Sequence, residues 1–220
     1  MQLTEAARDT SAPASLDKIL PGLYHAFQDI FSKESFDKLP EWKQWDHAIN
    51  LIPGAQPFSM KVYPILPVEQ KELDQFLEEN LASGQIHPSK SLMPSPIFFI
   101  DKKDSKLRFM QDYQKLNAMA VKNTYPLPLV LDIINKILEA KGKYFTKLDV
   151  YWGYNNICFK GGDEWKAAFC TNCGLFKPLV MYFGLTNSLA TFQTMMNNIF
   201  KELIDEGFVA IYMDDILVYT

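Results

Sequence analysis

Arginine is nearly absent from the 220 residues: only Arg8 and Arg108 stand beside twenty lysines. Acidic residues outnumber basic ones, twenty-six to twenty-two, and leave a formal net charge of −4. A chain that gripped a phosphate backbone unaided would carry a basic footprint, so this balance argues against a self-sufficient nucleic-acid binder. Cysteine is also scarce, and Cys158, Cys170 and Cys173 cannot build a disulfide framework. Cys170 and Cys173 are spaced like half a zinc or redox site, but no second Cys/His pair stands at ligand spacing. No run approaches about 18 consecutive apolar residues, so a membrane-spanning helix is not expected. Met1 to Ser15 lack the apolar stretch of a secretory signal, and the expectation is an intracellular chain with no membrane partner.

What the sequence does have is aromatic mass: sixteen Phe, ten Tyr and four Trp, enough for a sizeable core. Leu23, Phe27, Ile30 and Phe31 share one face of a helix. Five prolines between Leu39 and Pro67 exclude a long helix there and predict an extended arm. Val68 to Ser83 reads as a helix with Leu73, Phe76, Leu77 and Leu81 on its apolar face and Gly84 as its stop. Ile97–Ile100 and Leu107–Tyr113 read as strands joined by a lysine-rich tip, Asp101 to Lys106. A helix after Pro128 carries Leu129, Ile133, Ile137 and Leu138. Tyr144–Val150 reads as a buried strand ending on Asp149. Short strands are expected over Asn156–Lys160, Lys166–Thr171 and Leu175–Val180. One helix is then expected from about Asn187 to Glu206, packing Phe192, Met195, Met196, Ile199, Phe200 and Leu203. Strands and helices mix as in an α+β protein.

The segment Val209 to Tyr219 is the most informative. Asp214 and Asp215 interrupt two apolar runs of strand character, with no glycine to make an ordinary tight hairpin turn. Paired negative charge between buried strands is costly unless a cation offsets it. If the strand ending on Asp149 pairs beside this hairpin, three carboxylates converge. Magnesium prefers such oxygens and keeps positions for water and phosphate. Two such ions can activate a hydroxyl and stabilise a leaving pyrophosphate.

Tyr212-Met213-Asp214-Asp215 resembles the YxDD motif of reverse transcriptases. The resemblance to gypsy-type long-terminal-repeat retrotransposons, fungal ones above all, extends over Trp45-Asp46-His47-Ala48-Ile49, Val68 to Leu73, Pro88 to Ser91, Ser95 to Ile100, Asp112 to Asn117, Tyr125 to Pro128 and Phe183 to Asn187. These stand in the expected order from about residue 40 to the last. The resemblance implies a right-hand polymerase fold: a tail and short helix over 1–40, an extended linker over 41–67 between protease and polymerase regions, and fingers with interleaved palm over 68–220. It implies that Asp149, Asp214 and Asp215 are catalytic and hold two magnesium ions, with manganese as a substitute, and that the Val150 backbone joins them. Tyr154 would exclude a ribose 2′-hydroxyl. Lys102 and Arg108 would grip the incoming deoxynucleoside triphosphate, Phe183 and Gly184 would line its pocket, and Gln193 would support it from a helix. For Phe183, plain core packing competes evenly with that role. Tyr212 and Met213 would lie near primer and template, the template an RNA or DNA strand paired to the primer.

The resemblance also implies regions outside these 220 residues: thumb, RNase H and integrase of a parent polyprotein, acting in cytoplasmic virus-like particles. Relatives commonly carry arginine where this sequence has Gln114, Tyr151, Cys158, Cys170 and Cys173, and proline at Leu189. That pattern is what C-to-T decay of CpG-containing arginine codons produces. The rival expectation is therefore a truncated, non-catalytic remnant with a polymerase-like fold. A metal-dependent nuclease or nucleotidyl cyclase with a similar palm is disfavoured by the motifs around Lys102 to Asn117.

Overall fold

The computed structural model describes residues 19–31, 38–101 and 107–220. The chain divides into two compact units, one up to Lys38 and one from Leu39 to Thr220. In the first, Gly22–Phe31 is a 3-10 segment kinked at Phe27 (φ −115°, ψ 20°), and none of its residues is buried.

The second unit holds two sheets. The larger runs β1 (Ile86–Pro88), β6 (Gly174–Pro178), β5 (Phe169–Thr171), β2 (Ser95–Asp101) and β3 (Leu107–Gln111), in that order. All its pairings are antiparallel except β2 with β5. Helix α1 (Pro67–Ala82) packs on it. Its start follows from chemistry: Pro67 supplies a preset φ at the first turn, and the Glu69 carboxylate accepts the Leu66 N–H at 2.6 Å. Leu73 and Leu77 of α1 enter a core with Ile86, Ile97, Phe169, Phe176, Val180 and Tyr182. Phe76 stacks on Phe109 at 4.0 Å and meets Phe169 edge-on. Leu81, expected on this apolar face, is instead 41% exposed at the helix end.

The smaller sheet has the order β4 (Phe145–Asp149), β8 (Asp215–Tyr219), β7 (Val209–Tyr212), all antiparallel. Beneath it lies α4 (Ser188–Ile199), whose Phe192, Met195 and Met196 form a core with Ile157, Phe159, Val209, Ile211 and Ile216. A Cβ on Gly153 would sit 2.6 Å from the Phe192 ring, so only glycine lets this turn approach the helix.

Several expectations fail for identifiable reasons. The strand ending on Asp149 is exposed along its whole length: β7, the opposite edge, enters the core against α4, but no residue of β4 does. The helix expected to run to Glu206 breaks at Phe200 (φ −102°, ψ 16°) and resumes as α5 (Lys201–Asp205), leaving Ile199 and Leu203 exposed. Gly153–Asn156 and Glu164–Ala167 are 3-10 turns where strands were expected to begin, and Cys158 and Phe159 make only isolated bridges. The strand after the lysine-rich tip ends at Gln111 and passes into a short helix, α2 (Gln114–Met119). The apolar helix after Pro128 forms as α3 (Val130–Ala140), with no buried residue.

The proline-rich arm is extended and laced to the body. His47 donates its N–H to the Cys158 carbonyl at 2.8 Å and its carbonyl accepts the Lys160 N–H at 2.9 Å. Its Nδ1 lies 2.9 Å from Thr191 Oγ1 on α4. Ile49 N–H donates to Asp163 at 2.8 Å, and Lys166 bridges that carboxylate to the Ile49 carbonyl. His47 is 2% exposed, and burial lowers its pKa to about 4, with Asp163 opposing the shift.

Candidate catalytic site

Register brings the predicted carboxylates together. Asp149, the last residue of β4, is the direct cross-strand partner of Asp215, the first residue of β8. Directly opposed residues of an antiparallel pair project from the same face. Asp214 stands one residue earlier, in the two-residue turn closed by the Tyr212–Asp215 pair.

That turn contains no glycine, and Met213 takes the left-handed conformation (φ 56°). A non-glycine residue there is strained unless its surroundings hold it. Two hydrogen bonds do so. Met213 N–H donates to Gln193 Oε1 at 2.8 Å, and the Asp214 carbonyl accepts the Val150 N–H at 2.9 Å. Gln193 is fully buried on α4; its Nε2 donates to Asn197 Oδ1 at 2.9 Å, and Asn197 Nδ2 in turn donates to the Tyr125 hydroxyl at 2.8 Å. A core glutamine therefore orients the turn that carries Asp214.

Like charges facing each other on paired strands repel. Here Lys147, two residues before Asp149 on β4, places Nζ 2.8 Å from Asp215 Oδ1. Its pKa is raised, first by the hydrogen bond and charge of Asp215, with Asp149 and Asp214 adding to the same effect. The ammonium thus sits in the field of all three carboxylates. Among the described residues, no three His, Cys, Asp or Glu side chains are already closed around a point as ligands. The donor set nevertheless suits a hard divalent cation: carboxylate oxygens on an open face, one of them already paired with the Lys147 ammonium.

Beside the turn, Tyr154 is buried in the Gly153–Asn156 turn, its ring 4.6 Å from Phe183 and 5.1 Å from Phe192. Burial, then the charge of Asp214, pushes its pKa up to about 12, so the hydroxyl stays protonated. Phe183 is 45% exposed, which sets aside plain core packing. Gly184 follows with φ 95°, and its carbonyl accepts Asn117 Nδ2 at 2.7 Å while Asn117 Oδ1 accepts the Thr186 N–H at 2.8 Å. Tyr212 and Met213 are half-buried at the hairpin end. Arg108 is exposed on β3, in the other sheet; Lys102, with Lys103 and Lys106, lies outside the described residues.

Sequence reasoning missed Lys147, Asn117 and Asn197. Lys147 carried a signal, since alternate residues of a strand share a face. The two asparagines act on partners far along the chain, Asn117 on residues 67 and 69 positions away and Asn197 on Tyr125, and local pattern does not reveal them.

Residues 100–220 match the family described as reverse transcriptase (RNA-dependent DNA polymerase). The chain is 35% identical over 202 residues to the Tf2-3 and Tf2-4 transposon polyproteins of Schizosaccharomyces pombe (strain 972 / ATCC 24843), which covers 91% of this chain. It spans 15% of the length of those relatives. Among solved structures it is similar to a foamy viral protease-reverse transcriptase in complex with RNA/DNA hybrid, with a TM-score of 0.78 and 21% identity over 99% of this chain and 28% of that one. A second foamy viral structure, in complex with double-stranded DNA, gives the same score and identity over 99% of this chain and 37% of that one.

Proposed function

Since the chain belongs to the reverse transcriptase (RNA-dependent DNA polymerase) family, we propose that its three-stranded sheet carries the nucleotidyl-transfer centre of an RNA-directed DNA polymerase from a gypsy-type retrotransposon. The substrates are deoxynucleoside triphosphates and a primer paired to an RNA or DNA template. The primer 3′-oxygen bonds to the α-phosphorus, the bond from that phosphorus to the bridging oxygen breaks, the hydroxyl proton passes to solvent, and pyrophosphate leaves.

One observation carries the reading: Asp149 and Asp215 in direct cross-strand register, with Asp214 on a turn held by Gln193 and Val150. A divalent metal, magnesium or manganese, would supply hydroxyl activation and neutralisation of phosphate charge there. Asp149, Asp214 and Asp215 would hold it, with the Val150 backbone beside them. Tyr154, backed by Phe192 and Phe183, forms a wall that excludes a 2′-hydroxyl; its raised pKa keeps it uncharged beside the phosphates. Gln193 acts through Met213, as a positioning residue. Phe183 and Gly184 border the nucleotide, Lys102 and Arg108 approach the triphosphate, and Tyr212 and Met213 approach primer and template. On this reading residues 41–67 link protease and polymerase regions, 68–220 are fingers and palm, and thumb, RNase H and integrase belong to a longer cytoplasmic polyprotein.

A second reading, the non-catalytic remnant, draws support from α3, which has no fully buried residue and leaves Val130, Leu131, Ile134 and Leu138 exposed, and from the uncovered β4. Primer extension with an RNA template, DNA primer, deoxynucleotides and magnesium separates the two. Extension that falls by about 10³-fold or more in Asp214→Asn/Asp215→Asn, with the circular dichroism of the parent retained, supports the polymerase. A folded parent chain with no extension supports the remnant.

A further inference from the structure

The loop after β1 lines an open cavity of about 470 Å³ that none of the candidate catalytic residues enters. Pro88, Lys90 and Leu92 of the loop line it together with Trp165 and with Lys177 of β6. Its two serines are committed to holding the loop in shape. Ser91 Oγ donates to the Trp165 carbonyl at 2.6 Å and accepts the Met93 N–H at 3.0 Å, and Ser89 Oγ accepts the Ser91 N–H at 3.1 Å. Ser89 N–H donates to the Leu175 carbonyl at 2.8 Å, fastening the loop to β6. The main chain of Trp165 is thereby pinned, yet the residue stays 36% exposed at the cavity.

The charges here are one-sided. Lys90 and Lys177 both line the cavity, no Asp or Glu does, and among the described residues neither lysine has an ion-pair partner. The nearest acidic neighbour in sequence, Glu164, spends its carboxylate on the Gly162 N–H at 3.0 Å. On a chain of net charge −4, two ammoniums without an ion-pair partner and the indole of the Glu164–Ala167 turn, lining one cavity, make a local anion-plus-ring site. Grooves for extended proline-rich peptides are lined by several aromatics; this cavity has one ring and two cations.

We propose that this cavity is a single-stranded nucleic-acid site, in which a base stacks on the Trp165 indole and the adjoining phosphates pair with Lys90 and Lys177. Stacking on an aromatic with cations tracking the backbone is how strands are held without sequence preference. The assignment extends the polymerase reading, because it gives the strand a hold outside the carboxylate face.

The test is fluorescence anisotropy of a labelled twelve-nucleotide oligo-thymidylate with the full 220-residue chain, titrated with salt. Trp165→Leu should weaken binding about 5- to 100-fold. Lys90→Gln/Lys177→Gln should lower the slope of log affinity against log salt by about 1.4, the share of two phosphate contacts. Lys136→Gln/Lys201→Gln, the same charge change elsewhere, should leave the slope as it was. Photo-cross-links from a bromodeoxyuridine oligomer should map to Trp165. Unchanged affinity and slope in the cavity variants, or cross-links confined elsewhere, overturn the site, as does binding of a proline-rich peptide with no oligonucleotide binding. Primer extension with unaltered oligonucleotide binding in the variants would sink this site and leave the polymerase reading standing. Trp165-dependent binding without extension would do the reverse.

Discussion

The two sheets of this protein use similar strands to opposite ends. The five-stranded sheet receives α1 on a face dense with aromatic contacts, and its interior strand β2 begins fully buried. The three-stranded sheet is backed by α4 beneath β7 and β8, but its edge strand β4 is exposed throughout and carries Lys147 and Asp149. In the first, Leu73, Leu77, Ile86, Ile97, Phe169 and Phe176 are consumed by packing. In the second, one strand contributes little to packing and is left to present charge. One of the three candidate carboxylates, Asp149, thus sits on the strand that stability can best spare, while Asp214 and Asp215 sit on the packed hairpin.

The sharpest way to break that comparison is one substitution type made in both sheets. Leu73→Ala, at a fully buried position of α1, should cost about 2–5 kcal/mol in urea unfolding, whereas Leu148→Ala on β4 should cost under about 0.5. Equal losses would mean that β4 is packed in solution. A smaller effect comes from the arm that ties the α4 side together. Since the folded pKa of His47 is lowered to about 4 from 6.5, the unfolded chain takes up its proton first as pH falls. Stability from this group is complete above pH 6.5 and declines toward pH 4, by about 2 kcal/mol between pH 7 and pH 5. His47→Gln should remove that portion of the pH dependence, read as the difference between the two unfolding curves. The smallest effect belongs to the exposed strand. Lys147→Met breaks a solvent-screened ion pair and should leave the urea midpoint nearly where it was. It should also tighten manganese binding in a direct calorimetric titration, because the carboxylates lose their resident cation. Weaker binding would show instead that Lys147 helps to shape the site.

Much of this was legible in the sequence. The Asp214–Asp215 hairpin could be read because apolar runs flank an isolated charge, and Asp149 because it ends a similar run. The same apolar run misled on burial: Tyr144 to Val150 looks like an interior strand, and nothing local tells whether another element will cover its faces. The break at Phe200 was invisible since neither proline nor glycine marks it. Gln193 was placed on the right helix, but its bond to Met213 spans twenty residues and depends on how α4 lies beneath the sheet. His47 reaches Thr191 across 144 residues, a partner that no periodicity could supply.

The bond from the Val150 amide to the Asp214 carbonyl joins two main-chain atoms. Apart from proline at position 150, no side-chain replacement can delete either partner. That one tie between the turn and the end of β4 thus does not depend on which side chains stand at positions 150 and 214, and survives changes that would erase the Asp214 carboxylate. A copy no longer maintained by selection would forfeit its chemistry by single-letter changes while keeping the outline of the site. For elements of this kind, shape outlives use, and an intact outline is a poor clock for how long ago a copy fell silent.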